Sequence, residues 1–375
     1  MIKIVQFIHG FNMGGAETLV KEYALKIDKN QFDLTIVCLD NMHSPWDEML
    51  KKNGIKVIYI SDYQKRYTKK DILSRAYNKI QRYYLVKKIL RQLSPDVLHY
   101  HLSLSDYVLY AKLRKNTNIF YTQHFQFENI SQKNKNYLKK VIARYPVTII
   151  ALDNEMKQEL ITELNYTNVV VLNNGIDIAK FQCVKNRDLV RKELGIPADA
   201  FVVGHVGRFS EVKNHKFIIE IFEKLVEINP NAFLLLVGAG EKEYEIKNML
   251  ETKKLDSKSM MLTNRTDIPD LLNIVDKIIF PSISEGISVA LIEMQIAGKI
   301  CIISDTIPKE TAISNLLYPL SLEKDAKYWA NVVNNYIVND VIYTDLEAWD
   351  MVSIVEKLEK MYIQAIENTK ARERN

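Results

Sequence analysis

The sequence contains little cysteine and no long apolar segment. Its 375 residues include only three cysteines, Cys38, Cys183 and Cys301, which are far apart and form no Cys-x-x-Cys motif. Scattered cysteines are typical of free thiols in a reducing compartment. No apolar run approaches the roughly 18 residues that a membrane-spanning helix needs. The N-terminus also lacks the basic region and long apolar core of a signal peptide. We therefore expect a cytoplasmic protein.

Metal-binding and dinucleotide-binding motifs are missing as well. No Asp-x-Asp pair occurs, and the His and Cys residues are not clustered at the spacing of metal ligands. The glycines after the first predicted strand do not form Gly-x-Gly-x-x-Gly, the fingerprint of dinucleotide-binding domains. The sequence therefore predicts neither a metal site nor a tightly bound cofactor.

Length and pattern indicate two α/β domains. A chain of 375 residues is too long for one ordinary core. Short apolar segments without alternation recur between helical segments, a pattern typical of parallel sheets covered on both faces. This pattern starts afresh near residue 200, after Asn-Gly and Gly-Ile-Pro breakers. We predict doubly wound domains over residues 1–180 and 181–345, and a C-terminal helix over 346–375 that can pack back on the first domain.

Twelve strands are predicted from these segments. The first domain contains IKIVQFI, FDLTIVCL, KVIYI, DVLHYH, NIFYTQ, VTIIAL and NVVVL, and the second contains FVVGHVG, AFLLLVG, MMLT, DKIIFPS and KICIIS. In open α/β sheets, ligands bind at the carboxyl ends of the strands. The residues that follow each strand are therefore the candidates for a functional site.

Positive charge is concentrated in the first half of the chain. Through Lys180 there are 27 Lys and Arg against 17 Asp and Glu, whereas the remainder has 24 against 29. Residues 63–93 alone hold ten basic residues. The apolar and aromatic residues of this segment recur at helical spacing, as Leu73, Tyr77, Ile80 and Tyr84. Such a helix can lie on an anionic membrane, or its apolar stripe can pack on its own domain. A nucleic-acid partner is disfavoured because no nucleic-acid-binding motif is present.

Glycines and cations follow two of the predicted strands. Gly14 and Gly15 precede the first helix, where close backbone approach and unpaired amides favour an anion; a plain tight turn is the alternative. In the second domain, Arg208 and Lys213 bracket a loop that opens a helix near Asn214. An Arg fork and a Lys point charge beside a helix N-terminus suit a diphosphate, although two surface cations are the commoner outcome.

Two acids lie in the segment PSISEGISVALIEMQIAG, residues 281–298. We place Glu285 on a loop and Glu293 inside an apolar helix that ends at Gly298. A carboxylate in such a helix is costly unless it is paired, and the vicinal hydroxyls of a ribose or sugar are suitable donors. A solvent-reaching helix edge or a structural cation is the alternative. Glycosidases also use carboxylate pairs, but the cationic loop favours a phosphorylated donor.

Four histidines lie near the ends of strands in the first domain: His9, His99, His101 and His124. Any single histidine is more often structural than catalytic. Their shared location nevertheless predicts that at least one imidazole lines the ligand cleft.

Together these motifs resemble the retaining nucleotide-sugar glycosyltransferases of family four, which have the GT-B fold. The matching segments are Gly-Gly-Ala-Glu after the first strand, VGRFSEVKN, PSISEGISVALIEMQIAG and SDTIPKE. The resemblance covers nearly the whole chain, and the combination of Glu-x7-Glu with Gly-Arg-x4-Lys is specific. The fold it implies is α/β, with two doubly wound Rossmann-like domains facing each other across a cleft.

The resemblance also implies a role for each matching residue. Arg208 and Lys213 would hold the donor diphosphate and stabilise the charge of the leaving group. Glu285 would contact the transferred sugar, and His124 would line its pocket. The remaining donor contacts would be Gly14 and Gly15 at the β-phosphate, Gly286, Ile287 and Ser288 at the sugar or phosphate, Glu293 at the ribose, and Asn264 and Arg265 at the base.

The resemblance implies a retaining, metal-independent glycosyltransferase. Its donor would be a nucleotide-sugar, most frequently a UDP-sugar, and its acceptor a glycan or a polyprenyl-linked saccharide. The IPKE segment and the basic first half resemble bacterial transferases of capsular and exopolysaccharide synthesis. We therefore expect the protein to lie peripherally on the inner face of the cell membrane. The nucleotide-sugar is a co-substrate, and no cofactor is implied. Two alternatives stay open, a nucleotide-sugar epimerase with a similar layout and a catalytically silent GT-B partner protein.

Overall fold

The structure, a computed structural model, describes residues 1–11, 14–65, 72–124, 127 and 130–374. The chain divides into two compact units. One unit is formed by residues 1–175 together with 348–375, and the other by residues 176–347. Residues 66–71 of the predicted basic segment, including the basic residues Arg66, Lys69 and Lys70, lie outside the described residues.

A parallel sheet lies at the centre of the first unit. Its strands are β1 (Ile2–Ile8), β2 (Phe32–Cys38), β3 (Lys56–Tyr59), β4 (Val97–His101), β5 (Asn118–Thr122), β6 (Val147–Ala151) and β7 (Val169–Val171). Their order across the sheet is β3-β2-β1-β4-β5-β6-β7, and every pairing is parallel. The helices are α1 (Gly15–Lys26), α2 (Trp46–Lys52), α3 (Ile72–Leu93), α4 (Ser105–Ala111), α5 (Gln132–Ile142) and α6 (Asn154–Leu164).

The second unit repeats this arrangement with a smaller sheet. Its strands are β8 (Phe201–Val206), β9 (Ala232–Val237), β10 (Ser259–Leu262), β11 (Lys277–Phe280), β12 (Ile300–Ser304) and β13 (Leu317–Leu320), in the order β10-β9-β8-β11-β12-β13. Its helices are α7 (Ala179–Gln182), α8 (Arg187–Leu194), α9 (His215–Ile228), α10 (Glu243–Thr252), α11 (Ile268–Ile274), α12 (Val289–Ile296) and α13 (Ala326–Asn335). Each unit has two apolar clusters, as expected for a sheet buried on both faces.

The predicted α/β fold is confirmed, and all twelve predicted strands are present close to their predicted ends. The thirteenth strand, β13, escapes the sequence pattern because Pro319 interrupts its short apolar run. Proline cannot donate a hydrogen bond to a neighbouring strand, but an edge strand tolerates it. The position of β13 at the edge of the second sheet fits this rule.

The boundaries of the units differ slightly from the predicted domains. The chain leaves the first unit after Gly175 rather than at residue 180, and it returns at Ala348 rather than at residue 346. Residues 176–180 belong to the second unit. The next residue, Phe181, packs against an apolar cluster of that unit, and Asp177 pairs with Lys180 at 3.3 Å.

The last helix, α14 (Met351–Arg374), packs on the first unit. Its buried side chains recur at helical spacing and join one of the two apolar clusters of that unit: Met351, Ile354, Val355, Leu358, Tyr362 and Ile366. The Glu359 carboxylate accepts a hydrogen bond of 2.7 Å from the backbone N–H of Asp28. The C-terminal segment therefore completes the core of the first unit.

The apolar stripe of α3 is exposed. Its four residues, Leu73, Tyr77, Ile80 and Tyr84, have exposed fractions of 82, 47, 69 and 63%. The helix packs on its unit through a different face, which carries Val86, Ile89 and Leu90. The alternative in which the stripe packs on its own domain is therefore wrong.

Each sheet reverses its strand order once, and this reversal selects the place where a ligand binds. In the first sheet, β2 and β3 lie on one side of β1, and the strands that follow β4 lie on the other side. In the second sheet, the reversal lies between β8 and β11 in the same way. The connections of such neighbours diverge to opposite faces and leave a crevice at the carboxyl ends. The predicted residues after β1, β8 and β11 therefore lie at the two switch points.

Candidate active site

The loop after β8 is tied to the loop after β11. A short 3₁₀ turn, Glu211–Lys213, follows β8, and Asn214 then adopts a left-handed conformation with φ of 56° before α9 begins. The Asn214 side-chain amide donates to the carbonyl of Pro281 at 3.1 Å, and the backbone N–H of Ile283 donates to the carbonyl of Val212 at 2.8 Å. These bonds join the predicted diphosphate loop to the segment that carries the two acids.

Lys213 and Glu285 meet at this junction. The Lys213 Nζ lies 2.5 Å from the Glu285 Oε1, and the two side chains are only 15 and 13% exposed. The ammonium group also lies 4.7 Å from the ring centroid of Phe280. The structure thus brings two predicted catalytic residues together, and water and salt screen the attraction within this mostly buried pair less than they screen a surface ion pair.

Arg208 lies on the same loop but reaches solvent. Its guanidinium donates to the Glu241 carboxylate at 3.1 Å, while the two side chains are 73 and 54% exposed. Exposed pairs of this kind contribute little to stability. The guanidinium is therefore held only weakly and can exchange Glu241, which the sequence analysis does not identify, for another anion.

Glu293 lies in the second turn of α12 and is partly buried, as predicted. Burial raises the pKa of its carboxyl to about 7, and the positive charge of Lys180 only partly opposes this effect. No hydrogen-bond donor contacts the carboxylate within the described ranges of the chain. An ionised carboxylate in this position is under-solvated, and hydroxyl donors from a ligand would stabilise it.

Residues 286–288 lead directly into α12. The side chain of Ser288, the residue before the helix, does not cap the first turn. The first N–H groups of a helix have no intrahelical acceptor and favour an anion. Gly286 has open space where a side chain would be, and Ile287 is partly exposed. The amides of residues 286–288 remain the predicted contacts for a sugar or phosphate.

Gln295 anchors α12 from its buried side. Its side-chain oxygen accepts hydrogen bonds from the backbone N–H groups of Ile313 and Ser314 at 3.0 and 3.1 Å, and its amide donates to the carbonyl of Thr311 at 2.8 Å. These bonds fix the helix against the loop after β12. Glu293 lies two residues before Gln295 and therefore on another face of the same helix.

The residues predicted for the base lie apart from the Lys213–Glu285 pair. Asn264 and Arg265 follow β10, which is the edge strand of the sheet and two strands away from β8. Asn264 is exposed with φ of 55°, and the guanidinium of Arg265 forms an ion pair with Asp267 in its own loop. Their contact with a base remains a prediction.

In the first unit, the two glycines differ in their surroundings. Gly15 begins α1 with nothing within 4 Å of a side-chain position, whereas a side chain at Gly14 would clash with the carboxylate of Glu17. Glu17 is nearly buried, and burial raises the pKa of its carboxyl. Only Gly15 therefore offers an open approach to an anion, and Glu17 occupies the neighbouring first turn.

His124 lies after β5 and contacts another of the four singled-out histidines. Its Nε2 is 3.0 Å from the Nδ1 of His101, and burial lowers the pKa of His124 to about 4. The imidazole of His124 is therefore neutral at physiological pH. His101 is fully buried at the end of β4, so the contact holds one edge of the His124 ring.

Within the described parts of the chain, no group of three or more His, Cys, Asp or Glu residues is arranged to hold a metal ion. None of the helices in the same ranges is long and apolar enough to cross a membrane.

The raised pKa of Glu293 predicts a dependence of stability on pH. A carboxyl whose pKa is higher in the folded state favours folding at low pH, and this contribution is lost as pH rises from the unfolded value of 4.5 through about 7. We expect the free energy of unfolding of Glu293→Gln, relative to wild type, to increase between pH 5 and pH 8 by on the order of 3 kcal/mol. Urea denaturation at both pH values measures this difference. The control Glu310→Gln, at an exposed position of the same unit, should show no such change; an equal change in both variants would contradict the assignment.

The chain matches family models along both of its units. The family model for Glycosyltransferase Family 4 matches residues 13–180, and the model for Glycosyl transferases group 1 matches residues 186–315. The chain is 26% identical over 348 residues to the putative glycosyltransferase EpsF of Bacillus subtilis, covering 88% of this chain and 86% of that protein. It is 25% identical to the UDP-Gal:alpha-D-GlcNAc-diphosphoundecaprenol alpha-1,3-galactosyltransferase of Escherichia coli, covering 93% of each.

Solved structures show the same architecture. The Anabaena protein HepE, in complex with UDP and glucose, matches with a TM-score of 0.73 at 19% identity, covering 96% of this chain and 99% of that one. A glycosyltransferase from Rickettsia africae matches with a TM-score of 0.73 at 18% identity, covering 98% of this chain and 99% of that one. Because the two family models together match most of the chain and the fold is shared over its whole length, the chain belongs to the family 4 and group 1 glycosyltransferases with the GT-B fold.

Proposed function

We propose that this glycosyltransferase transfers a sugar from a UDP-sugar, with retention of anomeric configuration, to a hydroxyl of a lipid-linked saccharide in bacterial surface polysaccharide synthesis. The observation that carries the proposal is the mostly buried Lys213–Glu285 pair at the β8–β11 switch point, with Glu293 on the helix that follows the Glu285 loop. The Escherichia coli relative supports the donor and acceptor classes, since it is a UDP-Gal:alpha-D-GlcNAc-diphosphoundecaprenol galactosyltransferase.

The Lys213–Glu285 pair explains how a donor diphosphate would be recognised. A diphosphate can replace Glu285 as the partner of the Lys213 ammonium because it carries more negative charge and offers several acceptor oxygens. The exchange releases the Glu285 carboxylate, which can then accept hydrogen bonds from hydroxyls of the transferred sugar. Arg208, held only by an exposed pair, can turn toward the same diphosphate.

The chemistry proposed is substitution on the face from which the diphosphate departs. The bond between the anomeric carbon and the diphosphate oxygen breaks, and the acceptor oxygen forms the new bond on the same face. The acceptor proton passes to the departing phosphate oxygen. Arg208 and Lys213 stabilise the negative charge that develops on the diphosphate, a type of stabilisation that is worth most when the groups are already in place. We propose that these two cations suffice and that transfer needs no metal ion.

Removal of either cation should slow transfer. Arg208→Ala and Lys213→Ala should lower kcat by about 100- to 1000-fold, as found when one stabilising group is removed from an active site. Thermal unfolding should change little for Arg208→Ala, because its ion pair is exposed. The measurement is release of UDP from UDP-glucose and UDP-galactose, with and without saccharide acceptor, in buffer containing EDTA.

The control is Lys224→Ala, which removes a lysine from a surface pair with Glu227 in the same unit. It should retain wild-type turnover. Normal transfer by Lys213→Ala would overturn the leaving-group role. Conversion of the sugar without release of UDP would indicate an epimerase, and binding without either reaction would indicate a silent partner.

Glu293 should make donor binding depend on pH. If the ionised carboxylate accepts hydrogen bonds from ribose hydroxyls, binding must first remove the proton that burial holds there. We expect UDP-glucose, whose diphosphate does not titrate in this range, to bind about tenfold more weakly at pH 6 than at pH 8. Isothermal titration calorimetry in buffers of different ionisation enthalpy should detect release of a proton. Glu293→Gln should bind more weakly at pH 8 and lose the pH dependence; unchanged affinity would contradict the ribose role.

We further propose that α3 binds an anionic membrane surface on the cytoplasmic side. The exposed stripe Leu73, Tyr77, Ile80 and Tyr84 covers a narrow sector of the helix, and Lys88 and Arg91 extend the same sector at its C-terminal end. Aromatic residues with basic neighbours suit the interface between headgroups and acyl chains. Arg82 does not contribute, because its guanidinium pairs with Asp40 at 2.8 and 3.1 Å.

This surface continues onto the neighbouring helices. Tyr110 of α4 is 49% exposed and its ring lies 5.1 Å from that of Tyr83 on α3. The next helix, α5, carries Lys133, Lys135, Lys139 and Lys140. A lipid-linked acceptor would reach the protein at such a surface, which is why the membrane proposal fits the proposed acceptor.

Vesicle binding tests the membrane surface. Lys88→Gln together with Arg91→Gln should reduce binding to vesicles containing phosphatidylglycerol by about tenfold or more, since each basic residue near an anionic surface contributes about 1 kcal/mol. Ile80→Ser together with Tyr84→Ser should reduce binding through loss of apolar contact. Sedimentation with vesicles at physiological salt measures both.

The matched control is Lys254→Gln together with Lys327→Gln, which removes the same charge from exposed positions of the second unit. It should bind vesicles as the wild type does. If the Lys88/Arg91 and Lys254/Lys327 double variants lose binding equally while the Ile80/Tyr84 double variant retains it, attraction depends on net charge alone and the proposed surface is wrong.

A further inference from the structure

A row of buried polar side chains runs inward from His124. The Nδ1 of His101 lies 3.0 Å from the Nε2 of His124, and the Nε2 of His101 lies 2.7 Å from the side-chain oxygen of Gln6. Gln6 is fully buried in β1, between apolar neighbours. A buried polar side chain needs a complete set of partners, so these contacts are specific rather than incidental.

The row continues to the C-terminal helix. The Gln6 amide nitrogen donates to the Tyr362 hydroxyl at 3.1 Å, and that hydroxyl lies 2.6 Å from the Nδ1 of His99. The Nε2 of His99 lies 2.7 Å from the Thr122 hydroxyl. All five of these inner groups are fully buried or nearly so, and all belong to the first unit.

The hydrogen bonds assign the proton on each ring. The Gln6 oxygen only accepts, so the Nε2 of His101 carries the hydrogen. Burial lowers the pKa of both His101 and His124, so each ring is neutral and carries one proton. The Nδ1 of His101 is then an acceptor, and the Nε2 of His124 must donate to it. The Nδ1 of His124 is left with a lone pair.

The inner half of the row keeps the Gln6 amide in the orientation that this assignment requires. The Tyr362 oxygen accepts from Gln6, while its own hydrogen goes to the Nδ1 of His99. The Nε2–H of His99 then donates to Thr122. Every bond in the row points inward from His124, and a reversal at one site would require reversal of all the others.

We propose that Gln6, His101 and Tyr362 are positioning residues that hold His124 as the neutral Nε2–H tautomer, so that its Nδ1 accepts a hydrogen bond from a hydroxyl of the ligand. Within the described residues, no group bonds to this Nδ1. The site therefore suits a sugar hydroxyl and disfavours a carboxylate or carbonyl at the same place, because two acceptors would face each other. The assignment of a sugar as the ligand rests on the proposed function; the tautomer does not.

The test of the tautomer needs no ligand. Nitrogen-15 labelled histidine, read by two-bond proton–nitrogen correlation, distinguishes the two neutral tautomers, and His124→Gln identifies the His124 signals. We expect the Nε2–H form in the wild type. The Nδ1–H form in the wild type would overturn the proposal.

Two variants test the positioning residues. Gln6→Met has a similar volume but offers no acceptor to His101, so we expect His124 to become a mixture of tautomers. Tyr362→Phe removes only the hydroxyl and should shift the tautomer in the same direction. The matched control is Tyr23→Phe, which removes a buried hydroxyl that has no hydrogen-bond partner among the described residues; the Tyr23 ring packs beside His99. It should leave His124 unchanged; an unchanged tautomer in Gln6→Met would contradict the proposal.

Kinetics separate this inference from the proposed function. With UDP-glucose as donor, Gln6→Met should raise KM by about tenfold, the usual effect of one lost hydrogen bond, with a smaller change in kcat. Among the UDP-deoxyglucoses, the one that lacks the hydroxyl bound by His124 should show no difference between wild type and variant. If the wild type transfers none of these sugars, the proposed function fails while the tautomer measurement still decides the role of the row.

Discussion

The reversal of strand order in each sheet is the constraint on which the candidate site depends. Because β1 and β4, and likewise β8 and β11, send their connections to opposite faces, the loops at their carboxyl ends are left uncovered. The backbone bonds from Asn214 to Pro281 and from Ile283 to Val212 then bring two such loops together. Without this topology, Lys213 and Glu285 would be two unrelated charges 72 positions apart.

Charge in the second unit is arranged so that a ligand can complete it. Lys213 is neutralised internally by Glu285, Arg208 is held by an exposed partner, and Glu293 has no donor among the described residues. Under the proposed function, a diphosphate would replace Glu285 at Lys213 and Glu241 at Arg208, and ligand hydroxyls would donate to Glu293. A nucleotide-sugar carries both of these chemistries.

The first unit uses a different device, a row of neutral groups instead of paired charges. Burial keeps His99, His101 and His124 uncharged, so that hydrogen-bond direction, rather than charge, defines what His124 presents. The row passes through Tyr362, which connects the C-terminal helix to the site. Packing of α14 therefore contributes to more than stability, since it supplies a group that orients Gln6.

The sequence by itself determined twelve of the strands, the α/β class, the loops that carry Arg208, Lys213 and Glu285, and the helix that carries Glu293, because apolar periodicity and glycine breakers are local properties of the chain. It missed β13, whose signal Pro319 weakens, and it left open where the apolar stripe of α3 faces. Only the tertiary structure decided that Lys213 pairs with Glu285, that Glu293 lacks a donor among the described residues, and that His124 connects through Gln6 to Tyr362. These contacts join residues that are far apart in the chain; Gln6 and Tyr362, for example, are separated by 356 positions. The only local sign of the row of buried polar groups was Gln6 within the apolar part of IKIVQFI. No sequence pattern predicts which residues bond to Gln6.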